Sequence, residues 1–203
     1  MAKDKYRSFK ELQRHEILDR DYALTLHDAG SRVTIIAPHG GKIEPRTSDL
    51  ARHIAGSDYN YYCFEGIKDR DNACLHITSH RFDEPGALDL VARSRVVVAV
   101  HACTGTAGLV HIGGLDKELG RMIADELQDR GINISFDHPR FQGSNPDNIC
   151  NRTSTGIGVQ LEITRDLRDD LQKVESIARA VRAALLKFQE SNRNKKRSSH
   201  GKP

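Results

Sequence analysis

The chain reads as an α/β protein, and three observations predict it. Aliphatic runs without polar alternation recur, such as residues 32–37 (RVTIIA) and 95–100 (RVVVAV). Between them lie amphipathic stretches with helical spacing, and the two kinds of segment alternate along all 203 residues. Strands that do not alternate are strands covered on both faces, as in a parallel sheet between helices.

The elements follow in order. Residues 7–16 (RSFKELQRHE) are expected to form a short charged helix, and 32–37 the first buried strand. Thr47, Ser48 and Asp49 offer capping side chains for a helix through about His53. Residues 59–65 (YNYYCFE) and 73–78 (ACLHIT) are rich in β-formers and are expected as strands. Asp83, Glu84 and Pro85 open a helix that runs to about Ser94, with acids and proline in its first turn. Residues 95–100 follow as a strand. In 116–130 (DKELGRMIADELQDR), Leu119, Met122, Ile123 and Leu127 share one helical face, and Gly131 ends the helix. Residues 132–136 (INISF) and 158–164 (GVQLEIT) are strands. In the second, Val159, Leu161 and Ile163 face one way and Gln160, Glu162 and Thr164 the other. Residues 169–189 form a long final helix whose core stripe is Leu171, Val174, Ile177, Ala178, Val181, Leu185 and Phe188.

Composition narrows the function classes. Aromatic residues are 5% and tryptophan is absent, so the core is aliphatic. No apolar run approaches the roughly 20 residues of a membrane span, and the charged start (MAKDKYRSFKELQRHE) lacks the apolar stretch of a secretory signal. Synthesis in the cytoplasm, no membrane attachment and a monomeric state are expected. Residues 191–203 hold Arg193, Lys195, Lys196, Arg197 and Lys202 and no acid; without those five the net charge of +3 becomes −2. A single domain over 1–190 and a basic, disordered tail over 191–203 are therefore expected, and no nucleic-acid partner. The cysteines at 63, 74, 103 and 150 match neither a CxxC pair nor a small disulfide framework, and read as free thiols in a reducing compartment.

The candidate chemistry sits where the strands end. In 37–45 (APHGGKIEP), His39 and Glu44 lie on a glycine-rich loop directly after the first aliphatic strand. The second such strand runs into His101, and 158–164 carries Glu162. In open α/β sheets ligands bind beyond the carboxyl ends of the strands, so residues distant in sequence converge there. Two imidazoles and a carboxylate suit a catalytic zinc, and a further carboxylate suits the base that takes a proton from its water. Each residue also has a plainer reading, as a satisfied strand-end histidine or an ion-pair partner. Arg152, in the loop FQGSNPDNICNRTSTG, offers a fork for a substrate carboxylate. His76 and His80 either line the same cleft or lie outside it; His111 reads as structural, and His138 as an exposed turn residue. Cys103 reads as a buried thiol rather than a ligand or nucleophile.

The segments HGGKIEP, LHITSHRFDEP, VAVHACTG, IGGLD, NICNR and GVQLEIT occur in this order. Together they resemble the phage and bacterial poly-γ-glutamate hydrolase family, over about residues 30–190. That family is similar to a compact zinc carboxypeptidase of the carboxypeptidase A type. The resemblance implies a three-layer phosphorylase/hydrolase-like fold with a mixed, mostly parallel central sheet. It implies Zn2+ held by His39, Glu44 and His101, Glu162 as general base and then acid, and Asn151 with Arg152 gripping a carboxylate of an anionic polypeptide substrate. The His39–Glu44 interval is longer than in the larger carboxypeptidases. Two other readings stand beside this one: a zinc amidohydrolase acting on N-acyl amino acids or peptidoglycan-type peptides, and a non-catalytic anion-binding protein.

Overall fold

The computed structural model describes residues 4–136 and 138–199. Among the described residues seven strands form one sheet: β1 (Tyr22–His27), β2 (Val33–Gly41), β3 (Asn60–Gly66), β4 (Val96–Ala102), β5 (Leu109–Gly114), β6 (Asn133–Ser135) and β7 (Val159–Ile163). Their order is β1-β3-β2-β4-β7-β5-β6. β1 runs antiparallel to β3 and β5 antiparallel to β7, while the other four neighbouring pairs are parallel. The sheet is mixed and mostly parallel, as expected. The six α-helices among the described residues are α1 (Phe9–Leu12), α2 (Thr47–Ala55), α3 (Pro85–Ala92), α4 (Lys117–Gln128), α5 (Arg165–Asp169) and α6 (Leu171–Ser199). No helix among the described residues is long and apolar enough to cross a membrane.

Two cores flank the sheet. On one face α2, α4 and α6 bury Leu50, Ile54, Leu119, Ile123, Leu127, Ile177, Val181 and Leu185 against Ile35, Val98, Val100 and Leu161. The helical spacing read in 116–130 produces this contact. Asp116 caps α4 by accepting from Leu119 N–H, and Gly131 leaves it with φ +70°. On the other face α1, α3 and irregular chain pack Tyr6, Phe9, Tyr22, Tyr62, Phe64 and Phe82 around Val97 and Ala99. Glu84 caps α3 by accepting from Ala87 N–H, with Pro85 at the first helical position.

Several elements differ from expectation, each for a local reason. The first helix shrinks to one turn, because Glu16 turns inward to Tyr6, Lys5 and Lys68. Residues 73–78 are not a strand: Asn72–Leu75 is a 3₁₀ turn, and Thr78 N–H goes to the Asp4 carboxylate rather than to a strand neighbour. β3, the nearest sheet segment in sequence, already has β1 and β2 on its two edges. At α2 the N-cap position falls to Arg46, while the Thr47 hydroxyl donates to Glu44 O and Ser48 Oγ accepts from Gly41 N–H. Leu171 opens α6 and is 65% exposed, so it lies outside the stripe. α6 continues past residue 190 to Ser199, where a disordered tail was expected; residues 200–203 lie outside the described residues. β1 and β5 have no counterpart in the sequence-derived order.

Candidate active site

Period two along a strand puts Val33, Ile35 and Ala37 of β2 into the helical core, and would send His39 the same way. The register of β2 against β3 shifts between Ala37 and Gly40, the interval that holds Pro38 and His39. That bulge turns His39 to the opposite face, beside Ile77 and Phe82. On β4, Val98 and Val100 enter the helical core, so His101 shares the opposite face with Val97 and Ala99. On β7 the same alternation buries Val159, Leu161 and Ile163 and turns Gln160 and Glu162 to the face of His101. In register, His101 lies beside Glu162, and Glu162 beside His111 of β5.

The loop after His39 returns Glu44 to it. Glu44 N–H donates to His39 O at 2.9 Å, closing the turn. Gly41 takes φ +62°, and a Cβ there would stand 2.5 Å from Gly66 O, so only glycine fits. The result is a cluster in which His39 Nδ1 lies 3.1 Å from Glu44 Oε1 and 3.1 Å from His101 Nδ1, with His101 Nδ1 3.7 Å from Glu44 Oε2. His39 Nε2–H donates to Ile77 O at 2.8 Å, which in the neutral ring leaves Nδ1 as a lone pair aimed at the other two. Three electron-rich atoms thus converge, and His101 Nε2 is buried without a partner among the described residues. Tetrahedral ligands at about 2.0–2.2 Å from an ion stand about 3.3–3.6 Å apart, close to these separations. The donor set fits a divalent cation better than it fits itself. His39, Glu44 and His101 could hold a metal ion.

Burial opposes the charge of Glu44, but when no metal is bound and the imidazoles carry protons, His39 and His101 outweigh it and hold the carboxyl well below the usual range. Ala102 N–H donates to its Oε2 at 2.9 Å. Glu162 moves the other way: burial, with the charge of Glu44, pushes it up to about 8. A carboxyl poised near neutral pH suits proton transfer. Its orientation is set by an amide chain. Asn148 Nδ2 donates to Gln160 Oε1 at 2.8 Å, which fixes the Gln160 amide so that Nε2 donates to Glu162 Oε1 at 3.1 Å.

These groups open into a cleft of about 420 Å³. Its walls include His76, His80, Phe141 and Arg140. The His76 ring sits 4.0 Å from that of His39, centroid to centroid, and its Nδ1 bonds Asp4 Oδ1 at 2.8 Å. Burial, reinforced by His39, pushes His76 down to about 4 against the pull of Asp4. Arg140 stands over the Phe141 ring, 5.6 Å from its centroid, at the exposed lip. His138 stacks on Phe141 and is half-buried rather than an exposed turn residue. Burial pushes Cys103 up to about 11, so it stays a thiol, as expected.

Of the residues picked from sequence, His39, Glu44, His101 and Glu162 meet in this cleft; Asn151 and Arg152 do not line it. Asn151 is 2% exposed, and its amide is spent on the fold: Oδ1 accepts from Leu115 and Gly158 N–H, and Nδ2 donates to Gly143 and Asn145 O. Arg152 donates to Asp147 O and His80 O, joining its loop to the 76–80 segment. Sequence reading did not single out Gln160 as a partner, although it shares the Glu162 face at period two. The Asp4–His76 contact, across 72 residues, leaves no local signal.

A family model described as poly-gamma-glutamate hydrolase matches residues 6–194. The chain belongs to that family. YoqZ, an SPbeta prophage-derived protein of Bacillus subtilis (strain 168), is 38% identical over 180 residues, 88% of this chain and 65% of its own length. The chain therefore spans about two thirds of that relative. Among solved structures, bacteriophage poly-gamma-glutamate hydrolase matches with TM-score 0.89 at 28% identity, covering 93% of this chain and 99% of that one. The zinc-free apo form of YndL matches with TM-score 0.84 at 30% identity, covering 90% of this chain and 98% of that one.

Proposed function

We propose that this member of the family is a zinc-dependent hydrolase that cleaves γ-glutamyl amide bonds of poly-γ-glutamate. The observation that carries the reading is the convergence of three ligand atoms of His39, Glu44 and His101 beside the raised carboxyl of Glu162. A zinc-free form being distinguished for YndL supports zinc as the ion. His39, Glu44 and His101 would hold the zinc ion, which when bound would supply Lewis acidity.

The remaining work falls to the chain's own groups. Glu162, held by Gln160, takes the proton of the attacking water on a carboxylate oxygen and returns it to the leaving amine nitrogen. His76, tilted against the His39 ring and fixed by Asp4, walls the cleft on the side of 76–80. Arg140 is the cation at the lip that meets a free carboxylate of the polymer, a role the sequence suggested for Asn151 and Arg152.

The test joins metal content to products. Parent protein should carry about one zinc per chain, as a single three-residue site requires, and His39→Ala should lose it. Parent should release glutamate or its oligomers from γ-linked peptides and leave α-linked ones intact. Absence of zinc after reconstitution, or equal cleavage of both linkages, would sink the proposal.

A further inference from the structure

Arg168, in the last turn of α5, is 6% exposed, and no carboxylate lies within ion-pair range of it among the described residues. Its guanidinium instead faces three backbone carbonyls. Nε donates to Ile163 O at 3.0 Å, Nη1 to Pro45 O at 2.5 Å and Nη2 to Cys103 O at 3.4 Å. Each carbonyl stands just past a cleft residue: Ile163 follows Glu162, Pro45 follows Glu44, and Cys103 comes two residues after His101. One side chain therefore ties together the exits of β7, β2 and β4.

The tie is placed where the chain needs holding. Arg46, next to Pro45, has φ +76°, a left-handed conformation that costs a non-glycine residue about 1 kcal/mol or more. Burial lowers the guanidinium pKa, with Glu44 pulling it back up, so the charge is kept at a cost. What arginine adds is a rigid planar fork that reaches several acceptors at fixed angles, which lysine cannot do.

We propose that Arg168 is a positioning residue that sets the spacing of Glu44, His101 and Glu162, so that two of the three metal-holding side chains and the neighbouring base are already arranged for a metal ion. The inference rests on the metal-centre reading above. Zinc dissociation constants are measured on apo-protein by competition with a chromophoric chelator, for parent, Arg168→Met and Arg168→Lys, alongside the apo thermal midpoint. Both variants should bind zinc about 10- to 100-fold more weakly than parent, the usual effect of losing a group that orients metal ligands. Leu185→Ala, buried in the helical core on the other face, serves as the control: it lowers the midpoint but should keep parent affinity. Should Arg168→Met fail to fold, Arg168→Lys carries the comparison. Methylguanidinium added to Arg168→Met should restore part of the affinity. Variants that bind within about threefold of parent, at a cost of about 0.6 kcal/mol or less, would overturn the role of Arg168 while leaving the metal site standing. A parent that binds no zinc would overturn the metal reading itself, and this inference with it.

Discussion

The two faces of the sheet are held by different physics. Under α2, α4 and α6 the packing is mostly aliphatic, with Tyr59 and Phe188 as buried aromatic members and Tyr61 packed against them at the margin. The opposite face is rich in aromatics and covered by α1, α3 and irregular chain. There, inward carboxylates fix segments that carry no hydrogen-bond ladder of their own. Asp4 accepts from His76, Thr78 and Arg81, Glu16 from Lys5, Tyr6 and Lys68, and Asp83 from Phe9 N–H. The cleft opens on this second face. Interdigitated aliphatics give cohesion that pH does not change, whereas carboxylate anchors let irregular chain shape a site and make that shape depend on ionisation.

The largest effect should come from the cleft side. Glu162→Gln should lower kcat about 10³-fold, within the usual range for a lost general base, or about 4 kcal/mol of barrier. Zinc content should stay at the parental level, since Glu162 is not among the three residues proposed to hold the metal. Turnover within tenfold of parent, with zinc bound, would remove Glu162 from the chemistry and leave the two faces functionally alike.

An intermediate effect should come from the helical side, and only on stability. Ile123 of α4 is fully buried. Ile123→Ala should cost about 2–5 kcal/mol in urea unfolding, through lost transfer energy and the cavity left behind. Activity per folded molecule should match parent. A drop in kcat in fully folded variant would show that the helical layer reaches the cleft, and the contrast would need redrawing.

The same contrast explains what the sequence made legible. α4 was foreseen within two residues at each end and most of the α6 stripe correctly, because one buried face imposes a 3.6-residue repeat. β2, β4 and β7 were legible as aliphatic runs. β1 escaped because, at the sheet edge, much of it is only partly buried, with Leu26 47% exposed, and β5 because His111 and two glycines interrupt its apolar pattern. The convergence of His39, Glu44 and His101 was legible from residue type at strand ends, although the bulge between Ala37 and Gly40 that aims His39 was not. Asn151 and Arg152 were misplaced because a residue pair carries no record of whether its polar atoms are already committed. The Asp4 and Glu16 anchors join segments far apart in sequence, and nothing periodic announces them.

The smallest effect, and the sharpest probe of the carboxylate-anchored face, is a pH dependence. Burial works against the charge of Glu16, but hydrogen bonds from Tyr6, Lys68 and Lys5 prevail and lower its pKa from 4.5 to about 2. A carboxyl whose folded pKa is depressed stabilises the fold fully above its unfolded pKa. That contribution fades as pH falls from about 4.5 towards 2, when the unfolded chain takes up the proton first. The full shift corresponds to about 3 kcal/mol at 1.36 kcal/mol per pH unit, and the exposure of Lys5 reduces this to about 2 kcal/mol. Glu16→Gln should therefore lower stability by about 2 kcal/mol at pH 7 and by progressively less as the pH is taken below 4.5. Urea unfolding of both proteins across that interval measures the gap. A gap that does not narrow on acidification would mean that Glu16 acts by shape rather than charge, and that the two faces differ in composition but not in what holds them.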